Sequence, residues 1–255
     1  MKISLVQTSL TWENPQANRD NFEMLINSIE EATDIIILPE MFATGFTMKP
    51  EDVAETMNGE TIQWMKDMAA AKDCAVTGSL VIEENSNYYN RLLFVLPDGE
   101  VKTYDKRHLF SLAGEDKAYT AGADRLIINY RGWKISAFVC YDLRFPVFSR
   151  NTEDIDLMLY VANWPAPRVA AWDTLLKARA IENMCCVAGV NRIGQDNNGH
   201  NYLGHSQVFD ELGANVVEPS ESEGIFTVEL NKENLLETRN KFGFLNDRDG
   251  FSLHR

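Results

Sequence analysis

The sequence predicts an α/β protein of layered sheets with helices outside, and three observations carry that prediction. Two short segments, Asp34–Glu40 and Asp156–Ala162, are apolar at consecutive positions, the mark of strands buried on both faces. Stretches with helical periodicity alternate with them. Turn signals such as Pro97-Asp98-Gly99-Glu100 fold other segments into hairpins, so the sheets are mixed. Two sheets with helices on their outer faces would place both apolar strands centrally.

In chain order, Ile3 to Gln7 opens as a strand. Pro15 to Glu31 reads as a helix with Phe22, Leu25, Ile26 and Ile29 on one face; Asn14 is its N-cap and Pro15 its first residue, where the missing N–H costs no bond. Asp34–Glu40 follows as a buried strand, then Gly59 to Lys72 as a helix aligned on Ile62, Met65 and Met68. Ala75–Ile82, Arg91–Leu96 and Val101–Asp105 are strands, the last two joined at Pro97–Glu100. Leu126–Tyr130 and Lys134–Cys140 pair around Arg131-Gly132. Asp156–Ala162 is the second buried strand, Ala170 to Met184 a helix, Cys185–Asn191 a strand. Gly204–Phe209 and Ala214–Val217 form a hairpin, and Gly224–Leu230 adds a last strand. Residues 231–255 are polar and read as an extended tail. Helix, buried strand, helix, strand occurs twice, a weak internal echo. No Pro/Gly/Ser-rich linker divides the 255 residues, so one domain spanning 1–255 is expected.

Charge narrows the function classes. With 24 basic against 38 acidic residues the net charge is −14, which repels phosphate backbones and anionic lipid, so neither nucleic acid nor membrane is expected as a partner. No apolar run reaches the roughly 18–20 residues of a membrane span, and the N-terminus has no signal-peptide pattern. A cytoplasmic protein with reduced cysteines is expected, and adjacent Cys185-Cys186 reads as core filling. Histidines at 108, 200, 205 and 254 show no zinc-ligand spacing, so no metal is expected.

The candidate chemistry lies at strand ends. Cys140 closes the apolar run Ile135–Val139 and leads into Tyr141-Asp142-Leu143-Arg144-Phe145-Pro146. A cysteine in such a run is commonly a small hydrophobe, but the carboxyl end of a strand is where open α/β sheets place their sites. Its neighbour Tyr141 offers a backbone N–H to an oxyanion. Glu40 ends an apolar strand after Pro39; it is either a solvated strand end, a structural ion pair, or a desolvated proton shuttle. Lys106, in Tyr104-Asp105-Lys106-Arg107-His108-Leu109-Phe110, reads on its own as a solvated charge just past a strand. His108 is a rival base, for which the sequence shows no orienting partner. Glu115 sits in a polar loop, Gly114-Glu115-Asp116-Lys117.

Taken together, Leu-Pro-Glu40, Tyr-Asp-Lys106-Arg-His-Leu-Phe and Val-Cys140-Tyr-Asp-Leu-Arg-Phe-Pro closely resemble the nitrilase/carbon–nitrogen hydrolase superfamily, over nearly the whole chain. That resemblance implies a Glu40–Lys106–Cys140 triad, with Glu115 matching an additional active-site glutamate. Pro39–Phe46 and Ala162-Asn163-Trp164-Pro165 look like the bacterial omega-amidase branch. This implies hydrolysis of the terminal amide of 2-oxoglutaramate and 2-oxosuccinamate, a four-layer α-β-β-α sandwich, an assembly of at least two copies, and no cofactor. For a carboxylate beyond the scissile amide, Arg144 is a candidate and Arg168 a second, since guanidinium matches carboxylate bidentately. Phe42, Phe46 and Trp164 are candidates for the walls of a short slot. The alternatives are another hydrolase of the same superfamily (N-carbamoyl amino-acid hydrolase or aliphatic amidase), a non-catalytic scaffold subunit, and a thiol redox protein cycling Cys185-Cys186.

Overall fold

The structure, a computed structural model, describes residues 1–253; His254 and the end of the expected tail lie outside the described residues. In chain order the elements are β1 (Lys2–Gln7), α1 (Pro15–Asn27), β2 (Ile35–Ile37), α2 (Pro50–Val53), α3 (Glu60–Lys72), β3 (Ala75–Glu84), β4 (Asn87–Val95), β5 (Val101–Asp105), α4 (Glu115–Ala118), β6 (Leu126–Tyr130) and β7 (Trp133–Val139). There follow β8 (Leu157–Ala162), α5 (Val169–Asn183), β9 (Cys186–Asn191), β10 (Ile193–Gln195), β11 (Asn201–Leu203), β12 (Gln207–Phe209), β13 (Asn215–Val217), β14 (Gly224–Glu229) and α6 (Lys232–Phe242). One six-stranded sheet runs β14-β1-β2-β3-β4-β5, the other β13-β12-β9-β8-β7-β6, and β10 pairs with β11 apart from both. In the first sheet β1, β2 and β3 are parallel, in the second β7, β8 and β9; antiparallel strands extend each sheet on both sides.

The apolar runs explain the layering. In β2, Ile35 and Ile37 face the second sheet, in one core with Ile3, Leu5, Phe94, Ile135, Ala137 and Leu157. Ile36, pointing the other way as period-two geometry requires, packs with Val76 against Phe22 and Ile26 of α1 and Met65 of α3. Trp172, Leu176 and Ala180 bring α5 onto the far face of the second sheet, against β9. The order helices, sheet, sheet, helices is the expected four-layer α-β-β-α sandwich.

Several boundaries differ from the sequence expectation. Helix α1 starts as expected, with the Asn14 side chain accepting from the Ala17 amide at 3.1 Å, but stops at Asn27. There the Ser28 hydroxyl donates to the Leu25 carbonyl at 2.6 Å and competes with the helical ladder. Strands β3 and β4 run on to a two-residue turn, Asn85-Ser86, both at positive φ, a turn that matches strand twist. The tail is not extended throughout: α6 is capped by Asn231, whose side chain accepts from Asn234, and closed by Gly243 at φ +67°. It docks through one fully buried residue, Leu235, worth about 1.5–3 kcal/mol, and through Arg239 to Asp156. A single apolar anchor leaves little 3.6-residue period to read. The small hairpin β10–β11 also went unforeseen. Among the described residues no helix is long and apolar enough to cross a membrane.

Candidate active site

The carboxyl ends of β2, β5, β7 and β8 converge, and each delivers one group. Glu40, two residues past Leu38, is fully buried. Its Oε1 accepts from Lys106 Nζ at 2.9 Å and from Asn90 Nδ2 at 2.8 Å, and its Oε2 from the Asn163 amide at 2.8 Å. Lys106 follows β5 directly. Its backbone is pinned between the Asn90 carbonyl and the Gly122 amide, both at 3.0 Å; a Cβ at Gly122 would meet the Asp105 carbonyl oxygen at 2.1 Å, so only glycine fits there. Lys106 Nζ also donates to both oxygens of Glu115, at 3.0 and 2.9 Å, and lies 5.3 Å from the Phe46 ring centroid. Glu115, at the start of α4, takes the Phe110 amide at 2.6 Å. An ammonium between two buried carboxylates is therefore held in one position.

Cys140 sits between β7 and a single 3₁₀ turn, Cys140–Arg144, at φ +46°. A non-glycine residue in the left-handed region is strained and persists where its surroundings hold it. Asp142 does the holding. Its Oδ2 accepts from the Val139 amide at 3.0 Å and the Tyr104 hydroxyl at 2.7 Å; its Oδ1 accepts from the His108 amide at 3.1 Å and lies 2.7 Å from His108 Nδ1. One buried carboxylate thus ties the loop bearing Cys140 to the loop bearing Lys106. The Tyr141 amide, in the first turn, has no carbonyl partner within that turn. Cys140 Sγ lies 3.9 Å from the Asn163 carbonyl oxygen.

The electrostatics follow from burial. Desolvation opposes the Lys106 ammonium, but Glu115 and Glu40 outweigh it, and the ammonium is held more tightly than a free lysine. Burial pushes the Glu115 carboxyl up; Lys106 opposes and Glu40 adds to the rise. Burial and the neighbouring Glu40 carboxylate push the Cys140 thiol well up, and the pull of Lys106 does not offset them. Lys106 favours the thiolate, as an adjacent cation does, while burial and the Glu40 carboxylate work against it.

A pocket of about 340 Å³ opens over Cys140. Phe46, Phe110, Trp164 and Pro165 form its walls, and Tyr141, Arg144 and Arg168 line it. Asp196, Asn198, His200 and Tyr202, carried by the β10–β11 hairpin, complete it. Of the proposed wall residues, Phe42 is not there: it is fully buried in the first sheet's outer core, edge-on to Phe22 and beside Trp64. The side chain after Met41 (φ +44°) is turned inward, a reversal no periodicity announces. His108 does have an orienting partner, Asp142, but stacks on Phe145 at 3.8 Å and bonds to the brace, not to the thiol. Cys185 and Cys186 are buried thiols in the core, the latter pushed up to about 12. Asn90, Asn163, Asp142 and the β10–β11 hairpin were missed; Asn163-Trp164 after an apolar strand, and Asp142 two residues past the cysteine, were the available signals. Among the described residues no group of three or more His, Cys, Asp or Glu side chains is arranged to hold a metal ion.

A buried carboxylate and ammonium beside a half-buried thiol, at the ends of strands from two stacked sheets, bring together the groups that amide hydrolysis uses, and the class is a hydrolase acting on C–N bonds. The chain belongs to the carbon–nitrogen hydrolase family, whose pattern matches residues 2–240. It is 47% identical to the protein named omega-amidase YafV of Yersinia enterocolitica, across 99% of this chain and 98% of that one. It is 32% identical to the 2-oxoglutaramate amidase of Bacillus subtilis, across 96% of each. The crystal structure of XC1258 from Xanthomonas campestris, described as a CN-hydrolase superfamily protein with an arsenic adduct in the active site, superposes with a TM-score of 0.98 at 45% identity, over 100% of this chain and 99% of that one.

Proposed function

We propose that this protein hydrolyses the terminal amide of small 2-oxo dicarboxylic acid monoamides, 2-oxoglutaramate and 2-oxosuccinamate, through a thioester on Cys140. The observation that carries the substrate reading is Arg144. Four residues past the thiol, it faces the pocket with its guanidinium 4.9 Å from the Trp164 ring centroid, and no carboxylate of the described residues pairs with it. A half-buried guanidinium that faces a pocket without an anion of its own is a receptor for one. Relatives named omega-amidase and 2-oxoglutaramate amidase support the same reading.

The chemistry follows from the geometry. Glu40 takes the Cys140 proton as sulfur attacks the amide carbon. Lys106 Nζ and the Tyr141 amide receive the developing oxyanion; one such donor is worth about 10²–10³ in rate. Glu40 returns the proton to nitrogen, the C–N bond breaks and ammonia leaves. Water, deprotonated by Glu40, then opens the thioester to the acid and the free thiol. Glu115 acts through Lys106 as a positioning residue.

Ammonia release from 2-oxoglutaramate, N-carbamoyl amino acids and unsubstituted aliphatic amides, run beside Cys140→Ser, tests the reading. The 2-oxo amides should exceed the others in kcat/KM, and Cys140→Ser should be silent. A preference for carbamoyl or plain aliphatic amides overturns the substrate class; turnover by the serine variant at the wild-type rate overturns the nucleophile. An acyl adduct on Cys140 in the intact-mass spectrum is expected during turnover, and its absence under rapid quench counts against the thioester.

A further inference from the structure

The pocket holds a second guanidinium that the scheme above leaves idle. Arg168, at the end of the turn before α5, lines the pocket 5.1 Å from the Phe110 ring centroid, and no carboxylate of the described residues pairs with it either. The two arginines are built on one indole: the Trp164 ring lies by Arg144, and Trp164 Nε1 donates to the Arg168 carbonyl at 2.7 Å. The one acid in the pocket lining is already engaged. Asp196 Oδ1 accepts from the Asn198 and His200 amides, both at 2.9 Å, and Oδ2 from the Tyr202 hydroxyl at 2.9 Å. Arg192, fully buried, lies 4.7 Å from the ring centroid of the same Tyr202. In a chain of net charge −14, this pocket reverses the sign of the surface.

We infer that Arg168 reads the substituent beside the substrate's carboxylate, accepting a 2-oxo group and rejecting a 2-ammonium. The inference rests on the substrate reading above. A carboxylate docked on Arg144 neutralises that guanidinium and leaves Arg168 as the uncompensated charge. A 2-oxo oxygen is an acceptor for its N–H groups. The α-ammonium of glutamine or asparagine brings a second uncompensated positive charge into a pocket of about 340 Å³, and like charges closer than roughly 8 Å are poorly screened. Asp196, with three donors on it, is not free to receive that ammonium. Discrimination between a 2-oxo amide and the matching amino acid is thus built by repulsion as well as attraction.

The test measures kcat/KM by ammonia release on 2-oxoglutaramate, L-glutamine and the unsubstituted glutaric acid monoamide, for wild type, Arg168→Gln and Arg168→Lys. Arg168→Gln should lower the 2-oxo to 2-amino ratio about 10- to 100-fold, the range of one charge-assisted contact, while the unsubstituted amide changes no more than about threefold. Arg168→Lys keeps the positive charge, so it should still reject glutamine while losing part of the 2-oxo rate. An unchanged ratio in Arg168→Gln overturns the inference, as does an equal loss on all three amides, which marks a structural role. If wild type releases no ammonia from 2-oxoglutaramate yet works on the unsubstituted amide, the substrate reading itself fails and takes this inference with it.

Discussion

Asp142→Asn isolates the brace behind the nucleophile. The carboxylate is fully buried and meets four hydrogen-bonding groups, on Val139, Tyr104 and His108. An asparagine keeps the shape but replaces one acceptor oxygen by an NH₂. With the oxygen toward His108, the NH₂ opposes the Val139 N–H; turned around, it opposes the His108 N–H. Either way one amide is orphaned at about 1–3 kcal/mol, and the two bonds still made to the remaining carbonyl oxygen lose their charge assistance at about 1 kcal/mol each, a sum of roughly 3–5 kcal/mol. For a chain of this size that lowers Tm by about 6–20 °C. The Val139 amide precedes Cys140, so the strained residue relaxes and the sulfur moves; kcat should fall about 10²-fold, with a smaller change in KM because the pocket walls are untouched. Differential scanning calorimetry, steady-state ammonia release and the rate of Cys140 alkylation by iodoacetamide check the three parts. A variant that melts in the stated range but turns over within twofold of wild type would refute the idea that Asp142 sets the thiol's position.

Glu40→Gln retains the hydrogen-bonding outline and removes the base, so turnover should drop by about 10²–10⁴; normal thioester formation in a rapid-quench experiment would show another base at work. His108→Asn, which can still donate to Asp142, should keep kcat within about tenfold, and a loss as large as that of Glu40→Gln would restore His108 as the base. Arg144→Lys should reduce kcat/KM on anionic amides about 10- to 150-fold through KM while leaving alkylation of Cys140 by iodoacetamide near wild type; equal losses on anionic and neutral amides would remove Arg144 from substrate recognition. On the alkaline side, burial raises the thiols of Cys74 and Cys186 to about 12 from an ordinary 9.0, and Lys106 also holds its proton more tightly when folded. The folded state binds these protons better than the unfolded chain, so that stability is present below about pH 9 and is lost as pH rises from there toward 12. Melting scans from pH 7 to 12 should show the decline beginning near pH 9, and a flat profile would contradict the burial of these groups.

What could be read from the sequence was what leaves a pattern along the chain. Strands β2 and β8 were visible because both of their faces are apolar, and the three motif segments placed Glu40, Lys106 and Cys140 at strand ends, where the structure has them. Glu115 was legible only through resemblance, since nothing in Gly114-Glu115-Asp116-Lys117 says that one of two acids is buried. The residues that went unread act across space. Asn90 reaches Glu40 from 50 positions away and Asn163 from 123, and a polar residue at a strand's end looks the same whether it faces water or a carboxylate. Phe42 shows the converse error, an aromatic two residues past Glu40 that belongs to the core. Hairpin β10–β11, short and polar, carries no periodicity, yet it supplies one side of the pocket.

The division of the reacting groups between two sheets has a mechanical consequence. Glu40, Lys106 and Asn90 ride on the strands of one sheet, Cys140 and Asn163 on those of the other, and the contacts from Asn163 to Glu40 at 2.8 and 2.6 Å cross the seam. The thickness of the apolar slab between Ile35, Ile37 and Phe94 on one side and Ile135, Ala137 and Leu157 on the other is therefore the spacer that sets the distance between Cys140 and Glu40, over which the proposed mechanism moves the thiol proton. Proton hops tolerate only tenths of an ångström, whereas a folded protein absorbs a lost methyl group with a modest drop in melting temperature. Turnover is then the finer gauge of this core. Substitutions in this slab, none of them at a group of the site itself, will register as slow catalysts before they register as unstable proteins, and a screen for activity will report on the packing of the slab as well as on the triad.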